Sequence, residues 1–477
     1  MPSLLILMPL AGILILNLPF RDVMKKAAFL FAAWLFTFQI LLAVFHHPGF
    51  WSNSLERFDL IFKVSFIMDH LSFIVLLSIG IVSLASLFIA KCTMHDDEER
   101  FNFINLLIIA SIGMSGIVMV KDVFSLYVFL EITSVSSFIL IAFQKEKLAL
   151  EGAFKYIILS AIATIMMLTA IALLMLVSGE TSFSAIRMAI NQSSHSSIIL
   201  IAIGIFMCGL FIKGGLVPFH GWVPDAYSTA PASVSVLLAG IVTKVSGIYT
   251  LIRITTSIFG FSTAITKILL LVGTASILVG AFAAIGQNDF KRMLAYSSIS
   301  QVGYIILGFG TGTQLGVLGA VFHLFNHAIF KSLLFINSAA VEQEVGTRDM
   351  DKMGGLSARM PVTGATSVIA LLSSSGIPPL AGFWSKLIII IALWKSDNYA
   401  YAVIAVLASV LTLAYLLSMQ RKVFFGKLSK GLEDIKEACL GFRVASIALA
   451  SITIGVGIFF PIIFYEFILP IKDILLK

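Results

Sequence analysis

Seven ionisable side chains lie in stretches that are otherwise apolar. Glu131 stands alone in VFLEITSVSSFIL, Val128 to Leu140; Lys213 closes the run ending FIK; Lys244 follows LLAGIVT; His323, His327 and Lys331 share HLFNHAIFKSLLF; and Lys386 lies in GFWSK. Carboxylate, ammonium and imidazole are the side chains that take up and release protons. A lysine away from water gives up its proton easily when isolated, yet keeps it when a carboxylate stands within about 4–6 Å. Imidazole changes protonation near neutral pH. His323, His327 and Lys331 are spaced i, i+4, i+8, which puts them on one face of a helix. Two histidines four apart could hold zinc, but there is no intervening Glu and no further Cys or carboxylate in the cluster, so no metal is expected. For Glu131 two readings stand together, a structural ion pair that locks helices and an ionisable relay group. For the histidines the alternatives are hydrogen-bonded neutral core residues and members of a titrating path.

These residues need elements to hold them, and composition says which. Of 477 residues, 59% are hydrophobic and only 12% charged, with a mean hydropathy of +1.03. Soluble domains average roughly 45–50% apolar and 25% charged. Apolar runs of about 20 residues, long enough to cross a hydrocarbon core, recur near residues 3–18, 27–45, 69–90, 102–120, 123–143, 153–178, 197–216, 232–252, 264–285, 294–310, 314–338, 362–393, 400–420 and 444–468. The expected fold is all-α, a single polytopic membrane domain over residues 1–477. The first run lacks a basic leader and a cleavage site, and is expected to be a retained helix.

Lysine and arginine mark the cytoplasmic side of membrane proteins. One set of alternate loops holds about eighteen, among them Lys91, Arg100, Lys145, Lys291, Arg292, Arg348 and Arg421; the other holds about nine: Arg57, Lys63, Lys121, Arg187, Arg253, Lys267, Lys395, Lys472 and Lys477. Both termini are therefore expected on the outer side, and the +7 net charge is mostly this bias. No basic patch is interleaved with aromatics, so nucleic acid is not expected as a partner. Five of the 32 basic residues fall in or near spans: Lys155, Lys213, Lys244, Lys331 and Lys386. Lys155 can snorkel to the surface. The others each cost about 2.5–3.5 kcal/mol or more at mid-membrane, which argues for an internal polar path.

Two spans carry helix breakers. Gly214, Gly215 and Pro218 interrupt the helix that bears Lys213, and Gly376, Pro378 and Pro379 interrupt the one before Lys386. The segments Pro218–Gly221 and Pro379–Gly382 match in spacing. Paired broken helices in corresponding halves point to a repeat-built transporter whose freed backbone groups face a protein-lined or hydrated interior. Cys92, Cys208 and Cys439 form no CxxC pattern and support neither a disulfide nor an iron–sulfur cluster. His46, His47, His70, His95 and His195 lie in or near loops and are given no role. No redox or hydrolytic site is legible, and no cofactor is expected.

The runs DVFSLYVFLEITSVSSF, KGGLVPFHGWVPDAYSTAPASVS, DFKRMLAYSSISQVGY, HLFNHAIFKSLLF and GIPPLAGFWSK, in this order over about residues 65–425, resemble the antiporter-like family of proton-translocating membrane subunits. That family includes large membrane subunits of respiratory complex I, D-type subunits of multisubunit sodium/proton antiporters, and subunits of energy-converting membrane-bound hydrogenases. The resemblance implies about fourteen helices with two inverted five-helix repeats, each containing a broken helix. Residues 1–101 would hold the N-terminal helices, 102–255 and 262–424 the repeats, and 440–477 the C-terminal helix. It also implies proton-translocating roles for Glu131, Lys213, Lys244, His323, His327, Lys331 and Lys386. Where some complex I subunits have a histidine in the eighth helix, this chain has Ala239, which is more similar to the antiporter and hydrogenase branches.

Together these residues and the resemblance lead to the expectation of a proton-moving subunit in a multisubunit complex of the prokaryotic inner membrane, with other membrane subunits as partners and protons as cargo. Sodium is the second candidate ion. The oxidoreductase chemistry of a hydrogenase or complex I-like assembly would lie in partner chains. The alternative is the D-type subunit of a sodium/proton antiporter with no redox partner. Two rivals of other classes are a scaffold subunit that only seals a redox complex, and a stand-alone carrier of organic cations, whose substrate these lysines would repel.

Overall fold

The computed structural model describes residues 3–19, 21–45, 66, 68–192 and 196–474. His46, His47, Arg57, Lys63, His195 and Lys477 lie outside the described residues. Regular structure among the described residues is helical. The helices are α1 (Leu4–Leu16), α2 (Arg21–Phe45), α3 (His70–Thr93), α4 (Asp97–Met119), α5 (Val123–Ile141), α6 (Lys147–Ser178), α7 (Phe183–Gln192), α8 (Ser196–Lys213), α9 (Trp222–Thr229), α10 (Ala232–Phe259), α11 (Thr263–Ile285), α12 (Phe290–Phe309), α13 (Gln314–Val345), α14 (Pro361–Ser375), α15 (Ala381–Lys395), α16 (Tyr399–Val423) and α17 (Leu440–Ile458). Ten of the described helices are long and apolar enough to cross a membrane. A single expected span over 362–393 is in fact two helices, α14 and α15, separated at the Gly376–Leu380 break.

Helix starts are fixed by short polar side chains. The carboxylates of Asp69, Asp96, Asp122 and Asp289 and the hydroxyls of Ser262 and Thr313 each accept a bond from the backbone N–H three residues on, which satisfies a donor that the first helical turn leaves free. Burial then sorts the helices. The apolar windows of α10 and α13 are buried completely, whereas those of α2 and α6 are one-third buried. Leu150, Phe154, Ile158 and Ile165 of α6 turn outward, as a lipid-facing helix requires. The centre of the bundle is thus built from the two helices that bear Lys244, His323, His327 and Lys331.

α10 is not a uniform α-helix. Leu238–Val242, Lys244–Tyr249 and Thr255–Phe259 are π-helical turns, a form that is rare and frequent at functional sites. The helix also seats closely on its neighbours. A Cβ on Gly247 would lie 2.3 Å from the Gly214 Cα, and one on Gly240 would lie 2.2 Å from Ser332 Oγ. Glycine therefore lets the Lys244 helix touch both the break after Lys213 and the helix of Lys331.

Three readings of the sequence are corrected. Arg253, counted among loop cations, is inside α10, with 4% side-chain exposure and a salt bridge to Asp69. Lys291, likewise counted with the loops, is buried at the start of α12 and pairs with Glu342. Each stands just inside a helix end where apolar neighbours dilute, so hydropathy placed both outside. Cys92 and Cys439 are joined as a disulfide, with Cα atoms 6.4 Å apart across a separation of 347 residues; that distance along the chain leaves no local pattern to read.

Candidate ion-translocation site

Asp122 starts α5 and so places Glu131 two and a half turns along it, on a partly exposed face. One carboxylate oxygen, Oε1, accepts a short bond from Thr164 on α6 and lies 3.4 Å from the Lys213 Nζ. Lys213 ends α8, where the ammonium is favoured by the helix dipole. Its Nζ donates to Ser134 Oγ at 2.7 Å and Ser160 Oγ at 3.0 Å. The Glu131 side chain retains 34% exposure while that of Lys213 has 3%. The pair therefore spans the boundary between bundle interior and bundle surface.

The two breaks use one local design. After Lys213, Gly215 adopts φ +65° and Leu216 N–H donates to the Phe211 carbonyl; after Ser375, Gly376 adopts φ +83° and Ile377 N–H donates to the Leu372 carbonyl. This is the six-to-one closure of a helix by a left-handed residue, and glycine adopts that backbone without steric cost. Phe219 N–H then donates to Leu216, and Leu380 N–H to Ile377, in matching positions. Val217–Pro218 and Pro378–Pro379 are both cis. The lysines differ: Lys213 precedes its break and Lys386 follows the other.

Three further stations lie deeper, all at 3% exposure or less. Lys244 donates to the Ala239 carbonyl five residues back and to Thr243 Oγ1, and its ammonium stands 5.8 Å from the Tyr227 ring centroid. Lys331 donates to Ser297 Oγ at 2.6 Å, which is 2.8 Å from the Tyr415 hydroxyl. His323 Nδ1 is 2.9 Å from Ser385 Oγ, beside Lys386, whose Nζ lies 4.3 Å from the Tyr304 ring centroid. His327 stands between these stations, with its ring 6.4 Å from that of His323.

Glu131 and Lys213 are thus in direct contact, and His323 and Lys386 flank the same serine. Among the described residues no hydrogen bond joins Lys213 to Lys244, Lys244 to Lys331, or Lys331 to Lys386. Both ring nitrogens of His327, Nε2 of His323, the Lys386 Nζ and the hydroxyls of Ser332, Ser374 and Ser375 are buried without a protein partner. Leaving such a group bare costs roughly 2–7 kcal/mol, and proteins satisfy it with ordered water. The bundle interior that holds these lysines and histidines therefore also holds polar groups that call for hydration. No cluster of three or more His, Cys, Asp or Glu suited to a metal occurs among the described residues.

Sequence reading misses the hydroxyls Ser134, Ser160, Thr164 and Ser297 and the rings of Tyr227 and Tyr304. Serine, threonine and tyrosine are ordinary in spans. Only their position beside a buried cation singles them out.

Residues 120–412 match the family described as NADH:quinone oxidoreductase/Mrp antiporter, TM. The chain is 30% identical over 397 residues to the D-type subunit of the Na(+)/H(+) antiporter of Alkalihalophilus pseudofirmus, covering 83% of this chain and 80% of that one. It is 32% identical over 370 residues to the N-type subunit of the NADH-quinone oxidoreductase of Desulforudis audaxviator, covering 76% and 74%. Among solved structures, a chain of the Mrp complex from a Dietzia species superposes with a TM-score of 0.88 at 22% identity, over 99% of this chain and 96% of that one. A chain of the membrane-bound sulfane sulfur reductase, an archaeal respiratory membrane complex, superposes with 0.87 at 25% identity, over 100% and 98%.

Proposed function

We propose, from the premise that the chain belongs to the NADH:quinone oxidoreductase/Mrp antiporter transmembrane family, that it moves protons through the buried groups Glu131, Lys213, Lys244, His323, His327, Lys331 and Lys386. It does so as one membrane subunit of an ion-pumping complex. The observation that carries this reading is the 3.4 Å contact between Glu131 and Lys213. With the carboxylate near, the Lys213 ammonium is held; with it displaced, the lysine releases its proton towards Lys244 and onward through the histidines and Lys331 to Lys386. A tenfold change in proton affinity corresponds to about 1.4 kcal/mol, so a small movement of one helix is enough to drive transfer.

The architecture we assign is about fourteen spans with inverted repeats over 102–255 and 262–424, N-terminal helices in 1–101, a C-terminal helix in 440–477, and both termini on the outer side of a prokaryotic inner membrane. Two features support the repeats. The breaks at Gly215 and Gly376 share their hydrogen bonds. The bridge of Asp122 to Ser182, which ties the start of α5, has a counterpart at equal chain separation in the bridge of Asp289 to Asp349 at the start of α12. By the distribution of basic residues these bridges lie on opposite sides of the membrane.

For the assembly, a hydrogenase-type or complex I-like oxidoreductase is the first reading, supported by the likeness to the sulfane sulfur reductase chain at 25% identity and to the NADH-quinone oxidoreductase chain. The second is a sodium/proton antiporter without redox chemistry, which the similarity to the D-type antiporter chain favours. Co-purification separates them: iron–sulfur chains mark the first, small membrane subunits alone the second.

The path is tested by Glu131→Gln and Lys213→Ala in the assembled complex. The rate of pH-gradient formation is expected to fall at least about tenfold, equivalent to about 1.4 kcal/mol in barrier height, with assembly retained. Full assembly with undiminished pumping in both variants would sink the reading and favour a scaffold.

A further inference from the structure

A groove of about 420 Å³ lies between α2, α3, α13, α17 and residues 460–468, and every side chain that lines it is apolar. Val44, Val444 and Phe467 on its rim are exposed, so it opens to the surface of the bundle. α3 lines it from Ile74 to Phe88 and α17 from Val444 to Val456; the α3 stretch is roughly 21 Å long at 1.5 Å per residue. About 420 Å³ spread over that length leaves a channel roughly 5 Å across. Ala85, Ala445 and Ala448 make the room.

That width decides what fits. A helix with its side chains is about 10–12 Å across and is too wide. Water finds no hydrogen-bond partner on such walls. A single hydrocarbon chain, with carbons about 3.5–4.0 Å from the wall atoms, fills the channel. Its length exceeds the roughly 15 Å of one leaflet of the hydrocarbon core, so a whole tail can lie in it. The basic-rich end carries charge. Phe88 meets Phe29 of α2 edge-on with centroids 6.0 Å apart, and the Lys91 Nζ stands 4.7 Å from the Phe29 centroid. Lys26 is one turn before Phe29 on α2, and both lysines are exposed. The acids of that end are engaged elsewhere: Glu98 pairs with Lys25, Asp97 with Arg100, and Asp96 accepts from Glu99 N–H. Two ammonium groups at the head of a tail-wide channel match a phosphate, whereas a neutral quinone head would leave them without a counter-charge.

We propose that this groove holds one acyl chain of an anionic phospholipid whose phosphate rests on Lys26 and Lys91. By the distribution of basic residues the lipid belongs to the cytoplasmic leaflet, where anionic headgroups meet basic side chains. The tail completes a wall. Phe322 and Phe325 of α13 line the groove on either side of His323 in the sequence. Phe322 meets Phe460 at 5.7 Å between centroids, and Phe460 stacks on Trp384 of α15 at 4.5 Å. Tail, Phe322, Phe460 and Trp384 are thus successive layers, the last of them two residues from Lys386. Binding of the lipid does not depend on the proton path.

Photolabelling of the assembled complex in phosphatidylcholine nanodiscs tests the site. The probe is phosphatidylglycerol with a diazirine on its acyl chain, and labelled peptides are read by mass spectrometry. Label is expected on the α3, α13 and α17 peptides that line the groove, about tenfold above the same probe built on phosphatidylcholine. Ala448→Phe, which places a ring in the channel from an exposed position, is expected to lower it to the phosphatidylcholine level. Lys26→Ala with Lys91→Ala leaves the channel open and is expected to abolish the headgroup preference while label persists. Should Ala448→Phe fail to assemble, the preference in the parent and its loss in the double lysine variant decide alone. Equal labelling of the parent and Ala448→Phe overturns the site, as does a parent with no headgroup preference. So does displacement of the lipid by a diazirine-bearing isoprenoid quinone, or cross-linking of the groove peptides to a neighbouring subunit in place of lipid.

Discussion

Replacing Asp69 by Ala is expected to lower stability by about 3 kcal/mol, read as a drop of several degrees in the thermal midpoint of the detergent-solubilised chain. The low end of the roughly 3–5 kcal/mol range for breaking a buried ion pair applies because the Asp69 side chain retains 19% exposure. Both of its oxygens are engaged by Arg253, at 2.5 and 2.8 Å, and Oδ1 also accepts from Ser72 N–H and hydroxyl. Arg253 continues to the Tyr249 hydroxyl, which donates to the Val118 carbonyl. Removing Asp69 leaves a buried guanidinium facing α3 and α4 without its counter-charge. With Asp69 in place, Arg253→Lys is also expected to be destabilising, since an ammonium cannot make the two-pronged contact.

The same pair has a pH signature. Burial by itself would raise the Asp69 carboxyl, but the Arg253 guanidinium and the bonds from Ser72 overcome that and hold it at about 2, below its ordinary 3.8. A depressed carboxyl stabilises the fold fully above its unfolded value, and that contribution disappears as pH falls through the folded one. Acid unfolding between about pH 4 and 2 should thus be steeper in the parent than in Asp69→Asn. Equal slopes would show that the pair does not set acid stability.

Gly247→Val is expected to do more damage, preventing correct packing of α10. A Cβ there would sit 2.3 Å from both Cα and N of Gly214 and 2.9 Å from the Lys213 carbonyl carbon. Main-chain atoms cannot rotate away as a side chain can, so the cost exceeds the roughly 1–3 kcal/mol typical of overpacking. Loss of assembled complex, or a Lys213 whose replacement no longer alters pumping, is the expected readout. Gly204→Val is the control, because a Cβ at Gly204 meets nothing within 4 Å. Normal yield and pumping in Gly247→Val would mean that α10 and the α8 break do not need this contact.

How much of the molecule is legible in its sequence depends on distance along the chain. Apolar run length and the breakers at Gly214, Gly215, Pro218, Gly376, Pro378 and Pro379 are local signals, and they locate the long apolar helices and both breaks, but not the short helices α7 and α9. Glu131 and the buried lysines stand out because charge in an apolar run is locally improbable. Whatever depends on a partner far away is invisible: Asp69 with Arg253, Lys291 with Glu342, Cys92 with Cys439, and the rings facing Lys244 and Lys386. The π-turns of α10 are hidden for another reason. Two of them fall where α10 packs closely on the break and on α13, contacts far away along the chain, and the run of small and β-branched residues is compatible with ordinary helix.

Those π-turns bind backbone shape to charge. In the wide turn before Lys244, the Ala239 carbonyl receives its bond from the ammonium of a side chain. A bond from a charged donor is roughly twice as strong as one from a neutral donor. On the proposed path, loss of the Lys244 proton would replace this charged donor by a neutral one and weaken the hold on the Ala239 carbonyl. The wide turn and the charge of Lys244 thus meet at a single carbonyl.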